Sequence, residues 1–270
     1  MDSVRTGHGS SAVVSRAVAG SERGVFTPVS VGGVRPRLVL IHGTRMSHRQ
    51  WAPYAELLPR AEVVAPDLPG HGSRLGETFT TDAAVAVIAD AVAGAAPGQP
   101  VVLAGHSLGG YLASAYAATH PDRLAALVLI GASADPGSRA AVVYKAFAAV
   151  LPRIGYERMG GGVDRLLRRL GTPEEQLPEH AAYAAMADAW TAVMQDCRPA
   201  LLSAVDCPVV LVNGQYDQMR IGVRQFRAHC RRCEEVTVPR ATHLLPLTHP
   251  VELAGVLGRA VDAVADESVS

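Results

Sequence analysis

Short, unbroken apolar runs alternate with longer stretches of helical periodicity along most of this chain. Arg37 to Ile41 and Glu62 to Ala65 are the first runs, Val101 opens a third, and Leu124 to Ile130, Pro208 to Val212 and Glu235 to Val238 follow. Runs that stay apolar through both phases of the pleat suit strands buried on both faces. The pattern therefore predicts an α/β fold, a mostly parallel central sheet with helices on either side. Asp82 to Gly94 reads as a helix capped by Thr81 or Asp82, and Tyr111 to Ala118 as an alanine-rich helix that stops at His120-Pro121. The segment with Val25 to Val31 is expected to add one or two antiparallel edge strands.

Ser133 to Asp206 breaks the alternation, with helical periodicity and no convincing strand. Because strands flank it, the simplest topology makes it a helical excursion above the C-terminal edge of the sheet, inserted before the last two strands. Ligands bind at that edge in open α/β sheets. The expected organisation is a flexible lead-in over 1–24, an α/β core over 25–132, a helical cap over 133–206, the rest of the core over 207–264 and a flexible tail over 265–270. Tyr144, Phe147, Tyr183 and Trp190 are candidate substrate contacts within a cap that must also bury a core of its own.

Composition narrows the setting. At 270 residues, 49% hydrophobic, the chain has the length and apolar content for one large α/β domain. Its 25 basic and 25 acidic residues cancel, without a dense basic stripe, so nucleic acid is not expected as a partner. Arg165, Arg168 and Arg169 fall on the solvent side of a helix whose Leu166, Leu167 and Leu170 face inward. No stretch approaches the roughly 18 apolar residues of a membrane span, and the first 24 residues lack the apolar run of a secretory signal. A soluble chain in the cytoplasm is the expectation. The four cysteines are too few to staple a chain of this size, and Cys230-Arg231-Arg232-Cys233 lacks the second ligand pair of a zinc site.

The apolar run from Val101 ends in Gly105-His106-Ser107-Leu108-Gly109-Gly110. A serine between a strand and a helix, with glycines two before and two after, fits a sharp turn whose strained backbone needs small neighbours. There the hydroxyl stands clear of the sheet, and the N–H of Leu108, at the helix N-terminus, is free to meet a developing oxyanion. A serine nucleophile needs a base and an orienting carboxylate. Asn213-Gly214-Gln215-Tyr216-Asp217 follows one later strand and Pro239-Arg240-Ala241-Thr242-His243 the next. Ser107, Asp217 and His243 thus each lie just past a strand's C-terminal end, in the order Ser, Asp, His. Asp135 is a second candidate for the acid, while His106 and His249 read as structural.

With these residues in place the chain resembles capped members of the α/β-hydrolase fold family from about Arg37 to about Ala260. The resemblance rests on His42-Gly43 with Trp51, Asp67-Leu68-Pro69-Gly70-His71-Gly72-Ser73, Gly105 to Gly110, Gly214 with Asp217, and His243. It implies an oxyanion hole from the backbone N–H groups of Thr44 and Leu108, and no metal or organic cofactor. Thr242 stands where relatives often have glycine, and no carboxylate follows His243 before Glu252. A serine at position 107 disfavours the epoxide hydrolases and haloalkane dehalogenases of this fold, which use aspartate there. The expected activity is hydrolysis of a carboxylic ester or thioester of a moderately apolar small molecule through an acyl-enzyme. A lyase or cyclase, a carbon-carbon bond hydrolase, a cofactor-free haloperoxidase-like enzyme, or a receptor with a vestigial triad stand as alternatives.

Overall fold

The computed structural model of the chain describes residues 14–15, 34–138, 156–169, 171–178 and 180–267. At its centre lies a seven-stranded sheet of β1 (Val14–Ser15), β2 (Arg37–Ile41), β3 (Glu62–Val64), β4 (Val101–His106), β5 (Ala126–Ile130), β6 (Val209–Gly214) and β7 (Cys233–Val238), in the order β1-β7-β6-β5-β4-β2-β3. The pairs from β2 to β7 are all parallel, as the apolar runs predict, and β1 joins β7 antiparallel. That edge strand falls inside the stretch expected to be a lead-in, whereas Val25 to Val31 lies outside the described residues.

β4, β5 and β6 are buried along their whole length. Successive residues serve opposite layers. Val39, Ile41 and Leu103 pack with residues of α1 (Thr81–Ala93) and α2 (Leu108–Thr119), while Leu38, Leu40, Val102 and Ala104 pack with Trp51, Tyr54 and the C-terminal helix. Two covered faces leave no solvent-facing phase, hence runs without alternation.

Local differences from the expectation have physical causes. α1 is capped by Thr80, whose Oγ1 accepts the Ala83 N–H at 3.1 Å. Thr80 has the extended backbone a cap requires, while Thr81 and Asp82 already lie in the first turn, where Asp82 favours the helix dipole. The C-terminal helix runs from Pro250 to Glu267, into the expected tail, because buried Val261 and Val264 carry its apolar face to the end.

Between β5 and β6 lie α3 (Tyr156–Arg169), α4 (Met186–Asp196) and short 3-10 turns, with no strand among the described residues. On α3, Leu167 is buried and Arg165, Arg168 and Arg169 are exposed. From β2 the chain runs out to β3 and returns to β4 on the other side of β2, then continues away from it. The reversal lies between β2 and β4, and a crevice opens above their C-terminal ends, where Ile41 pairs with Gly105.

Candidate active site

Ser107 follows β4 with φ 51° and ψ −115°, a left-handed backbone that costs a non-glycine residue on the order of 1–3 kcal/mol. The flanking glycines make the turn possible. A Cβ on Gly105 would lie 2.3 Å from the Gly109 carbonyl oxygen, and one on Gly109 would lie 2.4 Å from that of Ile41. No side chain fits at either place. The turn projects the serine above β4, and the Leu108 N–H opens α2 beside it with no preceding turn to bond.

His243 and Asp217 arrive from the loops after β7 and β6. Asp217 can only accept, so it takes a hydrogen bond from the Nδ1–H of His243, at 3.1 Å to Oδ1 and 3.2 Å to Oδ2. This tautomer turns the lone pair of Nε2 toward Ser107 Oγ, which donates to it at 3.0 Å. Burial alone would raise the Asp217 carboxyl, but the hydrogen bond and charge of His243 and the Met219 N–H at 2.8 Å outweigh it and hold it below the usual carboxylate range. Asp135 plays no part in this line: it accepts from the Gly137 N–H and the Gln225 amide.

Beneath the serine, His106 Nε2 donates to the carbonyl oxygen of His243 at 2.9 Å, tying the backbone of His243 to the residue before Ser107. Complete burial, then the neighbouring His243, depresses the His106 imidazole to about 3, so it stays neutral. On the neighbouring loop, His42 Nδ1 donates to the Gly43 carbonyl at 2.9 Å and Nε2 accepts the Leu68 N–H at 3.0 Å. Burial, reinforced by His71, likewise takes His42 to about 3. Asp67 accepts from the backbone N–H groups of His48 and Ser73 at 2.7 and 2.8 Å, and from the side chains of both residues. These bonds overcome the effect of burial and hold its carboxyl at about 2. They brace the loop from Asp67 to Ser73 against the turn that carries Thr44.

Two residues at the site are absent from the sequence reading. Gln50 is buried, lines the crevice and accepts the Gly43 N–H on Oε1 at 3.2 Å, while its Nε2 has no partner among the described residues. Arg45, next to Thr44, also lines the crevice and has φ 67°. A polar residue on a 3-10 turn and a cation in a loop both read as surface, so neither carries a signal. The non-glycine residues with left-handed φ among the described residues are Arg45, Ser107 and Arg240, all in loops of this site.

The crevice is a cavity of about 480 Å³. Thr44, Ser107, Leu108 and His243 form its floor, Trp190, Val193 and Met194 of α4 its roof, and Met219, Leu244 and Leu247 part of its apolar wall. Trp190 Nε1 donates to Thr44 Oγ1 at 3.3 Å, so the hydroxyl of Thr44 serves the roof. Tyr183 is a correction: it is fully buried beside Met186 and Trp190, does not line the cavity, and accepts a hydrogen bond from Arg45 Nη1 at 2.9 Å. Tyr144 and Phe147 lie outside the described residues.

Comparison with known proteins places these features in context. A model of the alpha/beta hydrolase family matches residues 38–256. Lipase LipV of Mycobacterium tuberculosis is 43% identical over 115 residues, which is 42% of this chain but only 44% of the lipase. A pimeloyl-[acyl-carrier protein] methyl ester esterase of Aromatoleum aromaticum is 33% identical over 181 residues, covering 63% of this chain and 68% of that enzyme. Among solved structures, a thermophilic esterase from Thermogutta terrifontis superposes with a TM-score of 0.70 at 25% identity, over 86% of this chain and 92% of that one.

Proposed function

Because the chain belongs to the alpha/beta hydrolase family, we propose that it hydrolyses carboxylic esters or thioesters of moderately apolar small molecules through an acyl-enzyme on Ser107. The observation that carries this reading is the continuous line from Asp217 through His243 to Ser107 Oγ, opening on an apolar cavity of about 480 Å³. That volume suits a small-molecule substrate.

Ser107 Oγ attacks the substrate carbonyl as His243 Nε2 takes its proton. Asp217 holds the imidazole in the required tautomer and stabilises the imidazolium. The oxyanion is met by the N–H groups of Thr44 and Leu108, each contributing about 3 kcal/mol to the transition state. His243 then returns the proton to the leaving alcohol or thiol, and water repeats the cycle on the acyl-enzyme. Residues 133–206 act as the cap, whose α4 shields the acyl group from bulk water. Relatives named for lipase and methyl ester esterase activity support ester cleavage over the lyase, haloperoxidase-like and receptor alternatives.

A panel of chromogenic esters and thioesters of graded chain length, run on the wild type and on Ser107→Ala, tests the proposal. The expected result is turnover with an initial burst in the wild type and a loss of at least about a thousandfold in the variant. Comparable turnover by the two proteins would overturn it.

A further inference from the structure

Among the described residues lining the cavity, Arg45 is the only lysine or arginine, and its guanidinium forms no ion pair with any other described residue. It is nevertheless held firmly. Its backbone is left-handed, its Nη1 donates to Tyr183 Oη at 2.9 Å, and its Cζ lies 5.1 Å from the centroid of the Tyr183 ring. Tyr183 is fully buried, so it forms a fixed mount for the cation. Hydrogen bonding to Tyr183 uses one edge of the guanidinium and leaves further N–H groups for another acceptor. Among the described lining residues the one carboxylate, Asp135, already accepts from Gly137 and Gln225. Among the described residues, this permanent cation, mounted on a buried aromatic in a cavity with apolar walls, has no anionic partner, and a ligand can supply one.

We propose that the substrate carries an anionic group, a carboxylate or a phosphate, which Arg45 binds by paired charge-assisted hydrogen bonds, making Arg45 a specificity-determining residue. This rests on the hydrolase reading and narrows it: the pocket takes acidic esters or thioesters in preference to neutral ones. Arg45 directly follows Thr44, so the anion sits a short chain away from the scissile carbonyl. Either side of that carbonyl can carry the charge.

Matched substrate pairs separate the two sides. On the acyl side, the p-nitrophenyl monoester of adipic acid is compared with p-nitrophenyl hexanoate; on the leaving-group side, hexanoyl-coenzyme A is compared with hexanoyl-N-acetylcysteamine. The expected result is a kcat/KM at least tenfold higher for the anionic member of one pair, with most of the difference in KM. Arg45→Met should collapse that ratio at least tenfold, Arg45→Lys should restore part of it, and added salt should weaken it. Equal kcat/KM within both pairs, or a ratio unchanged in Arg45→Met, overturns the proposal. Calorimetric titration of the same pairs onto Ser107→Ala reads the preference without turnover. Anion-selective binding there, together with no hydrolysis by the wild type, would keep the Arg45 assignment and sink the hydrolase reading instead.

Discussion

The floor and the roof of the cavity are built by different means. On the floor, Ser107, His243 and Asp217 stand on loops at the C-terminal ends of the parallel strands β4, β7 and β6, and each makes hydrogen bonds to at least one other group of the site. The roof is one face of α4, packed by Trp190, Val193 and Met194, and its Trp190 reaches the floor through a 3.3 Å bond to Thr44. The floor is a braced polar network and the roof an apolar surface. Chemistry that needs sub-ångström placement belongs on the first, and selection by shape and area on the second.

Several measurements test that contrast. The largest effect is expected at Asp217→Asn, which keeps the size of the side chain but favours the wrong tautomer of His243. It should lower kcat by about ten-thousandfold with little change in KM, measured on any ester the wild type cleaves. A drop of only a few fold would mean that the floor is less tightly coupled than its distances imply.

Acid should act on the floor next. His42 and His106 have folded values near 3, below the roughly 6.5 of the unfolded chain, so the unfolded state binds protons that the folded state refuses. Their contribution is complete above about pH 6.5 and is lost as pH falls toward 3, at up to about 1.4 kcal/mol per histidine per pH unit. Asp67, held at about 2, adds its own loss only below about pH 4. Urea titrations between pH 7.5 and 4.5 measure the slope, and His106→Asn should remove part of it. An unchanged slope in that variant would detach His106 from the acid response.

Gln50→Leu should come third, lowering kcat about tenfold through the Gly43–Thr44 turn while KM stays within about threefold. A change confined to KM would move Gln50 from positioning to substrate contact. Trp190→Phe should have the smallest effect: it keeps an aromatic roof but removes the bond to Thr44, shifting KM by about threefold and altering the preferred acyl length. A large loss of kcat there would show that the roof shares in the chemistry.

The same division explains what could be read from the amino acids. Ser107 is legible because its turn imposes glycine on both sides, and Asp217 because it follows β6, whose two-faced burial leaves an apolar run; His243, after the half-exposed β7, is marked by its place in the order Ser, Asp, His. The Thr44 turn leaves no such trace. Its left-handed residue is an arginine, and its brace, Gln50, lies between Arg49 and Trp51 with nothing to mark it as buried. Tyr183 and Trp190 belong to one apolar helical pattern, and periodicity cannot say which aromatic meets the cavity and which serves as a mount for Arg45. Only packing separates them.

The bond from His106 to the carbonyl of His243 has a consequence for motion. His106 precedes Ser107 on the same backbone, so Ser107 and His243 hang from one short tether between the β4 turn and the loop after β7. When the sheet twists or breathes, a displacement of one strand end drags both partners in the same direction. The 3.0 Å separation of Oγ and Nε2 is thus held by the sheet and its loops alone, with no contribution to that tether from α4.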